Sequence, residues 1–282
     1  MPKVYDCFAF FNELDLLEIR LHELDPVVDH FVLVEATRTF QKKPKPLYYA
    51  ENKERFKAFW HKIIHIVVDD YPGFFRRFRV PRPMDYDNHQ KNQIIRGLAG
   101  AEPGDVIIYS DLDEIPRASK VLEYRDTPGT KVFQQLFCSY FINCVATSGP
   151  VTPCELNVGG YHYWRGSVMA PFCDFSNTKE FRKRRDNPGA AVTQIADGGW
   201  HFTYLGGTSM VLDKLRSFAH SKEQKYDFSH LLVPGNLDLA INAGLDLFGR
   251  EYTYTFVEPD ERFPAYVLAN RSRFEHLFRQ LG

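Results

Sequence analysis

Val106-Ile-Ile-Tyr-Ser-Asp-Leu-Asp-Glu-Ile-Pro116 is the stretch on which the reading of this chain turns. Four apolar residues, Val106 to Tyr109, drive a buried strand, and Ser110, Asp111 and the acids after it come where that strand must emerge. Asp111 and Asp113 are two apart, so in a purely extended chain their carboxylates share one face. Two carboxylates on one face repel unless a cation sits between them. Hard oxygen ligands suit Mg2+ or Mn2+ and leave positions open for water or diphosphate oxygens. A metal there neutralises the charge that grows on a departing diphosphate. The alternatives at this point are an acidic turn that caps the next segment and a phosphatase of the aspartyl-nucleophile type. The phosphatase motif usually opens its domain and continues with Gly-Thr, whereas Asp111 stands deep in this chain and Ile115-Pro116 follow.

Upstream of the motif, strand-like and helix-like segments alternate. Val4 to Phe11 is an apolar, β-favouring run, and Asn12 is placed to cap a helix from Glu13 to about Asp25, with Leu14, Leu17, Leu21 and Leu24 at helical spacing and Pro26 as its stop. Phe31 to Val34 reads as a short strand ending at Glu35, Glu51 to Trp60 as a helix, and Ile63 to Val68 as a third strand. Asp87 to about Gly100 reads as a helix with Ile94, Ile95 and Leu98 inward, and Pro103-Gly104 turns the chain into the Val106 strand. Such alternation predicts an α/β fold, a parallel sheet with helices on both faces, whose ligands bind beyond the carboxyl ends of the strands. After Lys120 the texture changes: Lys131 to Ala146 and Val151 to Val168 are β-rich and aromatic, while Leu212 to Lys225 and Leu237 to Phe248 look helical. The chain, 1–282, is read as one continuous domain, with a nucleotide-binding half at 1–118 and a β-rich, acceptor-shaping half at 119–282.

The composition excludes several classes. With 44% hydrophobic residues the chain can bury a core, and a net charge of -1 gives no global field toward nucleic acid or an anionic membrane. No stretch approaches the roughly 18 apolar residues of a membrane span, and the N-terminus shows no signal-peptide pattern. The five cysteines, Cys7, Cys138, Cys144, Cys154 and Cys173, form no CxxC pair and no zinc-like set. Their scatter fits reduced thiols and a cytoplasmic location.

Several motifs resemble glycosyltransferase family 17. They are Tyr5-Asp6-Cys7-Phe8 with Phe11-Asn12-Glu13-Leu14-Asp15-Leu16-Leu17-Glu18-Ile19-Arg20; Val34-Glu35 with Arg38-Thr39-Phe40 and Lys43-Pro44-Lys45-Pro46-Leu47; Ser110 to Pro116; Gly198-Gly-Trp-His-Phe202 with Tyr204-Leu205-Gly206-Gly207; and Ser217-Phe-Ala-His220. The resemblance runs from about residue 4 to 260. Eukaryotic members of that family are β-1,4-mannosyl-glycoprotein 4-β-N-acetylglucosaminyltransferases. The resemblance implies a GT-A-like nucleotide-sugar-binding fold, a UDP-sugar donor of the UDP-GlcNAc type, a divalent metal (Mn2+ or Mg2+), a glycan acceptor and inversion at the anomeric carbon. The rival from another class is a non-catalytic carbohydrate-binding protein on the same scaffold, which would use the aromatic residues and leave the paired carboxylates idle.

Other residues join the candidate site, each with a plainer alternative. His201 can complete a metal shell through a neutral imidazole nitrogen, a role that other GT-A enzymes suggest, or pack as a core histidine beside Trp200 and Phe202. Asp197, just before the Gly-Gly-Trp-His turn, is the first candidate for the base that takes the acceptor proton, with Glu155, Asp174 and Asp238 as rivals. Glu114 is placed to orient a ligand or a bound water. Glu35 and Arg38 stand where the sheet would meet nucleoside or diphosphate, and Asn92 and Arg96 lie four apart on one helix face. His220 is a further diphosphate candidate. Arg20, on the first helix, reads equally as a surface ion-pair partner of Glu23 or another acid. The basic clusters Arg76-Arg77 with Arg79 and Arg82, and Arg182 to Arg185, are solvated faces or grips on an anion.

Overall fold

The computed structural model describes residues 2–39, 43–71, 83–150, 155–186, 188–189, 191–208, 210–212, 231, 233, 235–247 and 250–281. The front strands follow the apolar runs of the sequence: β1 Val4–Phe10, β2 His30–Ala36, β3 Ile63–Val68 and β4 Val106–Tyr109. They pair in parallel in the order β3-β2-β1-β4, with Cys7 beside Val32 and Tyr109. Alternate β1 residues feed two cores. Val4, Phe8 and Phe10 pack with Leu17, Leu21 and Leu24 of helix α1 (Leu14–Leu24) on one face. Tyr5 and Cys7 pack with Ile94 and Leu98 on the other. Helices on both faces of an α/β sheet are therefore present, as the sequence predicts.

The back half makes the sheet mixed. After β5 (Glu114–Pro116) come helix α5 (Ala118–Tyr124, beyond the short helices named below), β6 (Lys131–Ser139), β7 (Cys144–Ser148), β8 (Glu155–Val158), β9 (Tyr161–Pro171), β10 (Thr193–Thr203) and β11 (Thr253–Phe256). β9 runs antiparallel to both β4 and β6, and so ends the parallel order. β10 lies parallel to β6 and antiparallel to β5.

Several local expectations change. Asn12 does not cap α1: Glu13 precedes the helix without a side-chain cap bond, and its carboxylate accepts from the Asn12 backbone N–H at 3.1 Å. The helix expected over Glu51 to Trp60 is a single turn, α2 (Tyr48–Glu51), followed by a 3₁₀ stretch over Lys53–Phe59 with non-helical Phe56. The helix expected over Asp87 to Gly100 begins earlier and breaks at Gln93 into α3 (Pro83–Asn92) and α4 (Ile94–Gly97). Ile94 and Leu98 are buried as expected, whereas Ile95 is exposed. The helix α6 (Thr178–Asp186), unread in the sequence because its outer face is so highly charged, packs beside β9 and α3.

The β5–β10 contact depends on Gly199. Its φ is +133°, in the region that favours glycine, and a Cβ there would run into the Ile115 carbonyl of the facing strand. Gly199→Ala should therefore lower unfolding free energy by about 2–4 kcal/mol. An unchanged urea midpoint would remove this constraint.

Candidate active site

The Asp111-Leu112-Asp113 segment is a turn between β4 and β5, at the carboxyl end of the parallel strands. The turn separates the two carboxylates, so the extended-strand premise that put them on one face does not hold. The Glu114 N–H donates to the Asp111 carbonyl at 3.1 Å, and the Asp111 N–H donates to Glu114 Oε2 at 3.0 Å. That reciprocal pair closes the turn.

Asp111 faces the helices. Arg182 Nη1 donates to its Oδ1 at 3.1 Å, Arg182 Nη2 donates to its Oδ2, and Lys91 Nζ lies 3.1 Å away while also holding Asp87 at 3.0 Å. Burial alone would push the Asp111 carboxyl up, but Lys91 and Arg182 outweigh it and hold it well below the usual carboxylate range. Burial would in turn lower the Lys91 ammonium, and Asp111 and Asp87 instead hold it raised. Lys91 was not singled out in the sequence. Its signal is the Asp87–Lys91 spacing of four on a helix that ends beside β4.

Asp113 faces β10. Its Oδ2 lies 3.7 Å from His201 Nε2, and its carbonyl accepts the Phe202 N–H at 2.8 Å. His201 is buried, stacked on Phe137 at 5.3 Å and tilted against Trp164 at 5.0 Å. Its Nδ1 is buried with no hydrogen-bond partner among the described residues. Burial, with a contribution from Asp113, pushes the nearby Tyr204 phenol up to about 12.

Glu114 is almost wholly buried and locks the floor between them. Its Oε1 accepts from Trp164 Nε1 at 2.6 Å and from Arg185 Nη1 at 3.0 Å, and the Arg185 guanidinium covers the Trp164 ring at 5.1 Å. Arg182 and Arg185, three apart, thus turn one helical face inward, while Lys183 pairs outward with Glu180. The 182–185 run is a clamp on the turn and not simply a solvated face.

Beneath the turn lies Arg20, which is fully buried and far from a surface pairing with Glu23. It forks onto Asp6 at 2.8 and 2.7 Å and also reaches Ser110 and the turn carbonyls. Two signals pointed there: Arg20 sits between Leu17 and Leu24 on the apolar face of α1, and Asp6 is an acid inside an apolar strand that needs a cation.

The remaining candidates stand apart from the turn. Glu35 is fully buried among Tyr49 N at 3.1 Å, His65 Nε2 at 3.1 Å and Lys45 Nζ at 3.6 Å. Arg38 is exposed past the end of β2, its N–H donating to the Tyr71 hydroxyl at 3.1 Å. The break at Gln93 separates Asn92 from Arg96. Asn92 Oδ1 accepts from Thr178 N and Oγ1, whereas Arg96 reaches Val67 O and Asp70. Glu35 and Arg38 lie two strands from β4, about 10 Å across the sheet. Asp197 is exposed at φ +48°, its Oδ1 accepting from Arg117 Nη2 at 2.7 Å. It lies four residues before His201, at the register shift of β10, where it pairs with Arg117 and not with the Asp113–His201 pair. Asp174 and Asp238 are also exposed, while Glu155 is buried opposite Trp164 across β8–β9, on the His201 face. His220 and the Arg76–Arg82 cluster lie outside the described residues.

The arrangement is that of an α/β protein with an acid–imidazole pair and an ion-paired acid at the carboxyl end of its parallel strands. The profile of glycosyltransferase family 17 matches residues 1–278, and the chain belongs to that family. It is 25% identical over 94% of its length to the human β-1,4-mannosyl-glycoprotein 4-β-N-acetylglucosaminyltransferase, and 24% identical over 98% of its length to the rat enzyme. It spans 53% and 54% of those two proteins, about half their length. Among solved structures, HddC from Yersinia pseudotuberculosis aligns with a TM-score of 0.40 and 11% identity, over 77% of this chain and 100% of that one. Glucosyl-3-phosphoglycerate synthase from Mycobacterium tuberculosis, with Mn2+, UDP-glucose and phosphoglyceric acid, aligns with a TM-score of 0.39 and 14% identity, over 95% and 91%.

The lowered Asp111 value fixes a pH dependence. A carboxyl depressed by folding adds stability in full above its unfolded value, about 3.9, and loses it as pH falls through the lower folded value. Asp111→Asn should cost about 1–3 kcal/mol in urea unfolding at pH 7 and nearly as much at about pH 5, with the gap closing only in stronger acid. A gap already closed at about pH 5 would mean that Lys91 and Arg182 do not hold this carboxylate.

Proposed function

We propose that the chain is an inverting, metal-dependent glycosyltransferase that moves GlcNAc from UDP-GlcNAc to a glycan hydroxyl. The observation that carries this reading, in a family 17 chain, is the Asp113–His201 pair at the carboxyl end of the parallel strands. Two donors bound to one first-row divalent ion at about 2.0–2.2 Å each lie roughly 3–4 Å apart, and the 3.7 Å separation of Oδ2 and Nε2 fits that span. A carboxylate oxygen with an imidazole nitrogen suits Mn2+ better than Mg2+. Asp113 and His201 would hold the ion, and Asp111 would keep Lys91 and Arg182 at the mouth of the same turn. The bound metal would supply charge neutralisation for the UDP leaving group.

Beside His201 the partly exposed Trp164 ring, backed by the buried Phe137, offers a flat apolar face for a sugar ring. Glu155, on that same face, is better placed than Asp197 to accept the proton of the acceptor hydroxyl. The buried free thiols Cys7, Cys138 and Cys144 support a reducing, cytoplasmic setting. Among the described residues no helix is long and apolar enough to cross a membrane.

Calorimetric titration with UDP-GlcNAc, first with Mn2+ and then with it chelated, tests the reading. Binding should require the metal, and Asp113→Ala and His201→Ala should each lower UDP release with a glycan acceptor by about 100-fold or more, the scale of a lost transition-state charge contact. Metal-independent binding of sugar without any UDP release would favour the carbohydrate-binding alternative. Full activity of Asp113→Ala would end the metal assignment.

A further inference from the structure

We propose that Arg20 is the positioning residue of the catalytic turn: its guanidinium fixes the backbone of Asp111 to Glu114, so directs the Asp113 carboxylate toward His201, and thereby sets metal affinity. The inference rests on the metal reading above. Arg20 touches no solvent, and its Nε and Nη2 engage Asp6 while Nη2 also donates to Ser110 Oγ at 2.7 Å. Nη1 donates to three carbonyls of the turn: Asp111 at 2.9 Å, Leu112 at 3.1 Å and Glu114 at 2.9 Å. The fourth carbonyl, that of Asp113, accepts the Phe202 N–H from the opposite side. Ser110 Oγ and Ser167 Oγ also donate to the Glu114 carbonyl, at 2.9 and 3.0 Å.

Every carbonyl from 111 to 114 is therefore tied, three of them to one rigid planar group. Turn carbonyls that leave the strand ladder need donors when buried, and here a side chain from the first helix supplies them. With the peptides on either side of it fixed, Asp113 has a single way for its side chain to leave the backbone, and that way faces His201. The role is geometric, since the Arg20 charge is met by Asp6 and the guanidinium lies over the Phe8 ring at 4.7 Å, away from the exposed rim of the turn. Lysine cannot reproduce it: three donors on one nitrogen do not span a carboxylate, a hydroxyl and three carbonyls.

The test is titration of the full chain with Mn2+ in the presence of UDP, for wild type, Arg20→Lys, Ser110→Ala and Arg273→Ala, each with its thermal midpoint. Arg273→Ala is the control: it removes a half-exposed guanidinium from the buried carboxylate of Glu18, whose Oε2 lies 2.8 Å from Nη2. Arg20→Lys should bind Mn2+ about 10–100-fold more weakly, as lost support of a ligand typically does. Ser110→Ala should shift affinity the same way by less. Arg273→Ala should lower the midpoint and leave Mn2+ affinity unchanged. If Arg20→Lys does not fold, Ser110→Ala decides. Wild-type Mn2+ affinity in the folded variants, or an equal loss in Arg273→Ala, overturns the Arg20 role while leaving the metal reading intact. A wild-type chain that takes up no Mn2+ overturns both.

Discussion

A buried arginine is the constraint on which the rest of this molecule depends. Arg20 carries a full charge into a site with no solvent, and that is tolerable only because Asp6 meets it with two hydrogen bonds and Ser110 and the turn carbonyls take its remaining donors. Removing one partner of such a pair typically costs about 3–5 kcal/mol. The requirement propagates outward. Helix α1 must lie against β1 in one register, β1 must neighbour β4, and the chain leaving β4 must turn where the guanidinium waits. The hydrophobic contacts of Leu17, Leu21 and Leu24 hold α1 to the sheet, but the ion pair selects the depth and rotation at which it sits.

From that turn, two kinds of electrostatic environment diverge. Asp111 looks toward α3 and α6, where Lys91 and Arg182 keep it ionised well below the usual range. Asp113 looks toward β10 and an imidazole that shares an aromatic wall with Phe137 and Trp164. Glu114, buried between them, is satisfied by Trp164, Arg185 and the Asp111 N–H. Three neighbouring acids thus carry three different loads, and it is the middle one that faces the imidazole. The glycine at 199 makes this possible, because β10 must approach β5 closely enough to bring His201 opposite Glu114.

Much of the front half was legible. The runs at Ile63 to Val68 and Val106 to Tyr109 are the observed strands residue for residue: β4 is buried throughout and so apolar on both faces, and the half-buried edge strand β3 departs from that pattern only at His65. Helix ends were less legible. Asn12 has the chemistry of a cap, yet the chain starts α1 at Leu14 without using it. The break at Gln93 was invisible to periodicity, because the buried positions Gln90, Ile94 and Leu98 keep helical spacing across it. In the site, Asp113 and His201 were read from their motifs and do meet, whereas Asp197, equally close to its motif in sequence, is carried away by the extended run of β10 and captured by Arg117.

By itself the sequence determined the α/β alternation, the strand that delivers the acids to its carboxyl end, and the family, since each of these is written in local apolar patterning or in contiguous motifs. Only the tertiary structure decided which acids share a partner. Spacing of two places carboxylates together on a straight strand, but a turn imposed by Arg20 from a helix 91 residues earlier turns one toward cations and the other toward a histidine. Side-chain direction at a turn is set by whatever satisfies the backbone there, and in this chain that group comes from a distant part of the sequence.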